Sequence, residues 1–298
     1  MVRVRFWGVR GSIPTPGFAT ARYGGNTPCV TVEARTPGSA PDEVFILDAG
    51  SGIRLLGLDL LRQKRWPVRA HVLLTHTHWD HIQGFPFFAP AFIPGNEIVV
   101  YGAAGSEEDL QTALAGQMLH RYFPVSLDQL GATLRFVPVQ PGTYQIGTAR
   151  VTVARLNHPG ETVGYRVEVG GRSVAYVTDC EPCGSVPDLQ MDPPVLELAR
   201  DADVLIHDAQ YTDAEYPSKV GWGHSPVSFV VDVALAVRAK RLALFHHDPL
   251  RDDAQMDALV EQAREGARQR GNAVKVEAAL EGATVELGEM EAISPAGV

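Results

Sequence analysis

Between residues 76 and 81 the chain reads His76-Thr77-His78-Trp79-Asp80-His81, three imidazoles and one carboxylate within six residues. Neutral nitrogen and hard oxygen donors at this density suit zinc and, less selectively, manganese or iron. A polar surface turn is the bland alternative, but these are the donor types that metal sites use. The segment follows the apolar run Val72-Leu73-Leu74. The donors therefore fall on a turn at a strand's C-terminal end, where α/β folds place their chemistry.

His-x-His-x-Asp-His after an apolar strand resembles the signature of the metallo-β-lactamase-fold hydrolases, and the resemblance covers nearly all 298 residues. It implies an α/β architecture, a four-layer αβ/βα sandwich with two sheets face to face and helices outside, here as a single domain spanning 1–298. It also implies a ligand set. His158, in Leu156-Asn157-His158-Pro159, would join His76 and His78 around a first ion. Asp80, His81 and His246 would hold a second, and Asp179, ending the strand Val174 to Thr178, would bridge the two. Asp48, in Ile46-Leu47-Asp48, matches an aspartate that supports the metal loop without usually binding metal. In Phe245-His246-His247 the first histidine is preferred because it directly follows the apolar strand Leu242 to Phe245, and His247 is the alternative. Two divalent ions, zinc first and manganese or iron(II) after it, held about 3.5–4 Å apart would convert a bridging water to the attacking hydroxide at neutral pH.

Fold alone does not fix a substrate in so varied a family. The di-iron reductases of the fold usually carry a carboxylate where this chain has His78, which argues for a hydrolytic centre. Gly221-Trp222-Gly223-His224-Ser225 resembles the Gly-His-Ser element of the RNase Z and phosphonate-pathway phosphodiesterase branch. There His224 would protonate the leaving alkoxide, with Asp208 orienting the ring and keeping it charged; a structural helix-start histidine is the alternative. The stretches Phe6 to Pro14 and Arg22 to Thr27 resemble the same branch. Arg10, Ser12 and Asn26 are candidates to bond a phosphate, Arg bidentately, or simply to cap strand ends. Trp79, Phe85, Phe87, Phe88 and Trp222 are candidates for an apolar cleft wall or for core.

The elements that must position these residues alternate between strand and helix. Strands are predicted at Val2–Val9, Cys29–Ala34, Val44–Leu47, His71–Thr75, Thr133–Val137, Ala149–Leu156, Val163–Val169, Ser173–Thr178, Val204–His207, Arg241–Phe245, Val274–Ala278 and Thr284–Leu287. Helical spacing is predicted over Ser51–Gln63, Ser106–Leu119 and Asp252–Arg268, and Ser225-Pro226 reads as a capped start to a further helix. Gly170-Gly171 suggests a tight hairpin, and Ser294–Val298 a polar-to-small tail.

Composition, 45% hydrophobic and 20% charged, is that of a globular enzyme. A net charge of −9, with no long basic, glycine-rich arm of the kind RNase Z enzymes use to grip transfer RNA, favours a small phosphodiester such as a cyclic nucleotide over long nucleic acid. No signal-like or membrane-spanning apolar run is visible, so a cytoplasmic protein without a membrane partner is expected, and the resemblance implies a homodimer. Cys29, Cys180 and Cys183 are too few for a disulfide framework, and Cys180-Glu181-Pro182-Cys183 lacks a thioredoxin-like context. His71, His120 and His207 are assigned no function. Two rival functions remain: hydrolysis of a carboxylic ester, thioester or lactone by the same centre, and a non-catalytic metal-stabilised sensor or binding module.

Overall fold

The computed structural model describes residues 1–34, 43–103, 107–271 and 274–288. In chain order the strands are β1 (Val2–Gly8), β2 (Cys29–Ala34), β3 (Glu43–Leu47), β4 (Arg69–Leu74), β5 (Glu97–Ala103), β6 (Thr133–Val139), β7 (Gly142–Ile146), β8 (Ala149–Arg155), β9 (Val163–Val169), β10 (Arg172–Val177), β11 (Cys183–Ser185), β12 (Asp188–Gln190), β13 (Val204–Asp208), β14 (Arg241–Phe245), β15 (Lys275–Ala278) and β16 (Thr284–Leu287). The helices are α1 (Ile53–Arg62), α2 (Trp79–Ile82), α3 (Glu107–Gln117), α4 (Pro193–Ala199), α5 (Val227–Ala236) and α6 (Asp253–Gln269). One seven-stranded sheet runs β16-β1-β2-β3-β4-β5-β6, another β15-β14-β13-β10-β9-β8-β7, and β11-β12 form a small hairpin.

Period-2 patterning decides which face of each strand turns inward. Val4, Phe6, Val32, Phe45 and Leu47 from the first sheet meet Val153, Tyr165, Val167, Tyr176, Ile206 and Phe245 from the second in one buried layer. The outward faces of central strands are also apolar, because helices cover them. Ile46, Val72 and Val100 pack with Ile53, Leu56 and Leu60 of α1, while Leu205, Leu242 and Leu244 pack with residues of α4, α5 and α6. Three apolar layers separating four structural ones are the expected αβ/βα sandwich.

Strand direction then gathers the loops. β3, β4, β5 and β6 are mutually parallel, and β10, β13, β14 and β15 are likewise. β8 and β1 reach the same sense through intervening antiparallel neighbours. The residues that follow β1, β3, β4, β8, β10, β13 and β14 therefore lie along one edge of the sandwich, although they come from both ends of the sequence.

Several expectations need adjusting. Strands β5, β7, β11 and β12 and helix α4 were not anticipated; most are short, and α4 opens on Pro193-Pro194, which reads as a breaker rather than as a helix start. The helix expected from Ser225 begins at Val227, and the Ser225 hydroxyl donates to Cys180 O at 2.6 Å instead of capping it. Gly170 and Gly171, both at positive φ, do join β9 to β10 as a tight hairpin. The helix start at Ser106 and the tail Ser294–Val298 lie outside the described residues. Among the described residues no helix is long and apolar enough to cross a membrane.

Candidate metal centre

Two donor groups sit side by side at this edge. His76 and His78 from the β4 loop and His158 after β8 offer ring nitrogens within 4.8 Å of one another. Asp80 and His81, one turn further along the β4 loop, converge within the same limit with Asp179 after β10 and His246 after β14. Asp179 joins the groups, with carboxylate oxygens 3.8 Å from His76 Nε2 and His158 Nε2 and 3.3 and 3.2 Å from Nε2 of His81 and His246. The Nε2 atoms of His76 and His81 are buried with no hydrogen-bond partner among the described residues. Buried polar atoms are nearly always satisfied, so nitrogens left facing carboxylates fit a site built for a cation. Three nitrogens on one side, two nitrogens and two oxygens on the other, form a donor set for borderline divalent ions.

The ligands are held from behind. Asp48 accepts from His81 Nδ1 at 2.8 Å, from the Thr75 amide at 2.8 Å and from the Tyr176 hydroxyl at 2.9 Å, so it supports the loop while His81 Nε2 faces the site. His246 Nδ1 donates to Gln210 Oε1 at 2.8 Å, and His158 Nδ1 donates to Gly223 O at 3.0 Å. Each contact fixes the tautomer that leaves Nε2 for a ligand. Asp48, Asp179 and His246 all adopt positive φ. Such strain costs about 1–3 kcal/mol per non-glycine residue and is typically kept where function needs it.

Among themselves, the carboxylates and rings of the site compensate one another's charge. Burial opposes charge on Asp179, but His246, His81 and His76 outweigh it and hold the carboxyl well below the usual range. Burial likewise opposes charge on His81, and Asp80, Asp179 and Asp48 override it, raising the ring well above normal. His76 moves the other way, kept neutral by burial and by its neighbour His81.

Beside the second group lies an acid. Asp208, ending β13, meets His224 Nδ1 at 2.6 Å, and the His224 ring stacks on His246 with centroids 4.9 Å apart. Burial disfavours the imidazolium, yet Asp208 outweighs it, and the His224 pKa is pushed up to about 9. Asp179, Asp208, His224 and His246 also converge within 4.8 Å, so this pair is continuous with the metal groups.

Not every anticipated residue reaches the cleft. Arg10 is fully buried, with its guanidinium donating to the carbonyls of Gly24, Asp248 and Arg251. It pins the N-terminal loop, and its fully buried guanidinium presents no exposed donor to a phosphate. Asn26 donates to Glu281 and accepts from Ser51, again a loop tie. Ser12 does border the site: its amide donates to Asp80 Oδ2 at 2.8 Å and its side chain is exposed. His247 points away, donating to Ala279 O at 2.8 Å, so His246 is the histidine brought into the group. Phe85 and Phe88 are core; Trp79 and Phe87, both exposed, line a hollow of about 650 Å³ next to the metal loop with Tyr122 and Phe123. Sequence reasoning missed Gln210 and Glu181, whose roles depend on partners 36 and 40 residues away.

A family model described as a beta-lactamase superfamily domain matches residues 44–247, from β3 through the His246-His247 pair. The chain belongs to the metallo-β-lactamase superfamily. Within the superfamily it is 25% identical to ribonuclease Z of Acaryochloris marina over 303 residues, covering 83% of this chain and 86% of the relative. Among solved structures, a diphosphatase of the PhnP family aligns at TM-score 0.65 and 20% identity, covering 97% of this chain and 99% of its own. The short form of human tRNase Z aligns at TM-score 0.63 and 20% identity, covering 96% and 99%. These relatives overturn the expectation that long nucleic acid is excluded, because superfamily members named for RNA cleavage span nearly the whole chain. Formal net charge sums residues over the entire surface, whereas phosphate contacts are made by the few groups that line a cleft.

Proposed function

We propose that the chain is a metal-dependent phosphodiester hydrolase. In this reading His76, His78 and His158 hold one divalent ion, Asp80, His81 and His246 hold a second, and Asp179 is shared. The nitrogen-rich donor set favours zinc. Two such ions supply a nucleophile from water at neutral pH and neutralise charge on the attacked phosphate.

The chain's own residues do the rest. Asp80 and Asp179 bring the negative charge that offsets two dications. Asp48, Gln210 and the Gly223 carbonyl orient the histidines. His224, held by Asp208 through Nδ1, keeps its Nε2–H available to the leaving alkoxide. The observation that carries the reading is this Asp208–His224 pair, 2.6 Å apart and against the metal donors, whose raised pKa keeps the imidazole protonated at neutral pH. A phosphodiester ejects an alkoxide that needs a proton, and a positioned acid meets that need. The ribonuclease Z relatives support the same bond chemistry.

The test is a substrate panel with metal-quantified protein: bis(p-nitrophenyl) phosphate, cyclic nucleotides, an RNA carrying a 3′ extension, thioesters and lactones. Turnover of the diesters with alkoxide leaving groups should collapse in His224→Ala while bis(p-nitrophenyl) phosphate turnover falls less, and the cyclic-nucleotide and RNA rates fix the size of the substrate. Acyl-ester turnover indifferent to His224 would replace this reading with an esterase or lactonase.

A further inference from the structure

Glu181 lies two residues beyond Asp179, within Cys180-Glu181-Pro182-Cys183, and is buried. Its carboxylate turns toward the loop that carries His224. Glu181 Oε1 accepts from the Gly221 amide at 2.7 Å and the Tyr216 hydroxyl at 3.0 Å, and Oε2 accepts from the Gly223 amide at 2.9 Å. Gly221 and Gly223 sit at φ 87° and 86°, left-handed conformations that do not hold themselves. The clamped loop then reaches both halves of the site. Gly223 O receives His158 Nδ1 at 3.0 Å, and the next residue is His224. The approach is close: a Cβ on Gly223 would lie 2.0 Å from His158 Nδ1.

The backbone of Glu181 completes the link. Its amide donates to Asn157 O at 2.8 Å, and Asn157 Nδ2 returns bonds of 3.1 Å to the carbonyls of Glu181 and Pro182. Asn157 directly precedes His158. Ser225, directly after His224, donates its hydroxyl to Cys180 O at 2.6 Å. One short segment thus touches the loops of His158 and His224 while continuing from Asp179.

We propose that Glu181 is a positioning residue that sets the ring of His158 for its metal and the ring of His224 for the leaving group through a single clamp on Gly221 and Gly223. The inference rests on the metal-hydrolase reading above for its catalytic half only. Glutamine can accept from one of the two glycine amides, because its NH2 then faces the other donor. Glu181→Gln therefore breaks the clamp with little change in volume.

The experiment measures metal affinity by chelator competition, and kcat and KM on two diesters, one with a p-nitrophenolate and one with an alkoxide leaving group. In Glu181→Gln one ion should weaken by about 10–100-fold, the range seen when an outer partner of a ligating histidine is lost, with the other ion unchanged. The kcat on the alkoxide diester should fall further than on the p-nitrophenyl diester, with KM nearly constant, because only the poorer leaving group needs the proton from His224. Tyr216→Phe removes one contact but leaves both glycine amides engaged, and should keep both ions and both rates near wild type. Wild-type metal affinity and an unchanged leaving-group ratio in Glu181→Gln would overturn the proposal. So would an equal loss in Tyr216→Phe, which would assign the effect to general packing. If the wild type turns over no diester, the functional reading fails, yet the metal titration still decides whether Glu181 sets His158.

Discussion

The two donor groups sit side by side but are built differently. The group of His76, His78 and His158 offers three imidazole rings and no carboxylate of its own, with His78 exposed and His158 half-buried. The group of Asp80, His81, Asp179 and His246 is wholly buried and contains both carboxylates. Its members also have more support: Asp48 on His81, Gln210 on His246, the Ser12 amide on Asp80 and the Thr178 hydroxyl on Asp179. A dication entering the buried group meets compensating charge and fixed rings. One entering the open group keeps most of its charge and faces the cleft. The first arrangement favours retention of an ion, the second favours contact with an anionic substrate.

Removing the residue common to both groups should do most damage. Asp179→Asn takes a charge from each ion at once, and we expect turnover to fall by ~10³-fold, the upper end for a lost electrostatic stabiliser. Metal analysis after dialysis should show fewer than two ions. Retention of both ions would contradict the bridging role. Next, His224→Ala should cost ~10²-fold, the low end for general acids, with both ions kept. The pH profile supplies the sign. His224 acts when protonated, so wild-type kcat/KM should decline as pH rises through about 9, and the variant should lack that limb. A variant profile that still bends there would separate the limb from His224.

The comparison itself is sharpened by paired ligand losses. His78→Ala should release one ion and leave the buried ion in place, whereas His246→Ala should weaken the buried, more tightly held ion. We expect the wild-type ions to differ in chelator resistance by ~10-fold or more, the scale that supporting contacts confer. A single cooperative release of both ions would erase the distinction between open and buried groups.

The legibility of the two groups differs for the same reason. His76, His78, Asp80 and His81 lie within one six-residue turn, and the strand before them is a plain apolar run, so sequence reaches them directly. His158, Asp179 and His246 are each ordinary in isolation and were reached through resemblance. The supports were harder still. Gln210 and Glu181 matter only because parallel strands bring distant loop ends together, a relation that residue type does not encode. Arg10 shows the reverse failure: an arginine beside glycines suggests an anion site, but burial against three carbonyl groups makes it a structural pin. The layered α/β pattern was readable from the runs of strand and helix, and the sandwich itself came through resemblance, while α4 was missed because its Pro-Pro start reads as a breaker.

His247 gives the smallest effect on turnover and, beside the metal donor His246, a clean test of how neighbours diverge. His247 is wholly buried and donates Nε2–H to Ala279 O; burial, aided by Arg10, His246 and Arg251, pulls its pKa down to about 3. The folded protein thus keeps this ring neutral while the unfolded chain protonates it near 6.5. Its contribution is fully present above about pH 6.5 and is lost as pH falls toward about 3, by at most about 1.4 kcal/mol per pH unit. His247→Gln should leave metal-loaded activity within about twofold, since surface-remote packing changes of this size cost about 0.5–1.5 kcal/mol of stability when one hydrogen bond is altered. Measured metal-free, so that ligand histidines contribute equally to both proteins, the variant should lose stability less steeply than wild type between pH 6.5 and 3. Parallel slopes would mean that His247 is protonated in the fold, and a variant that loses one ion would move it from the scaffold into the centre beside His246.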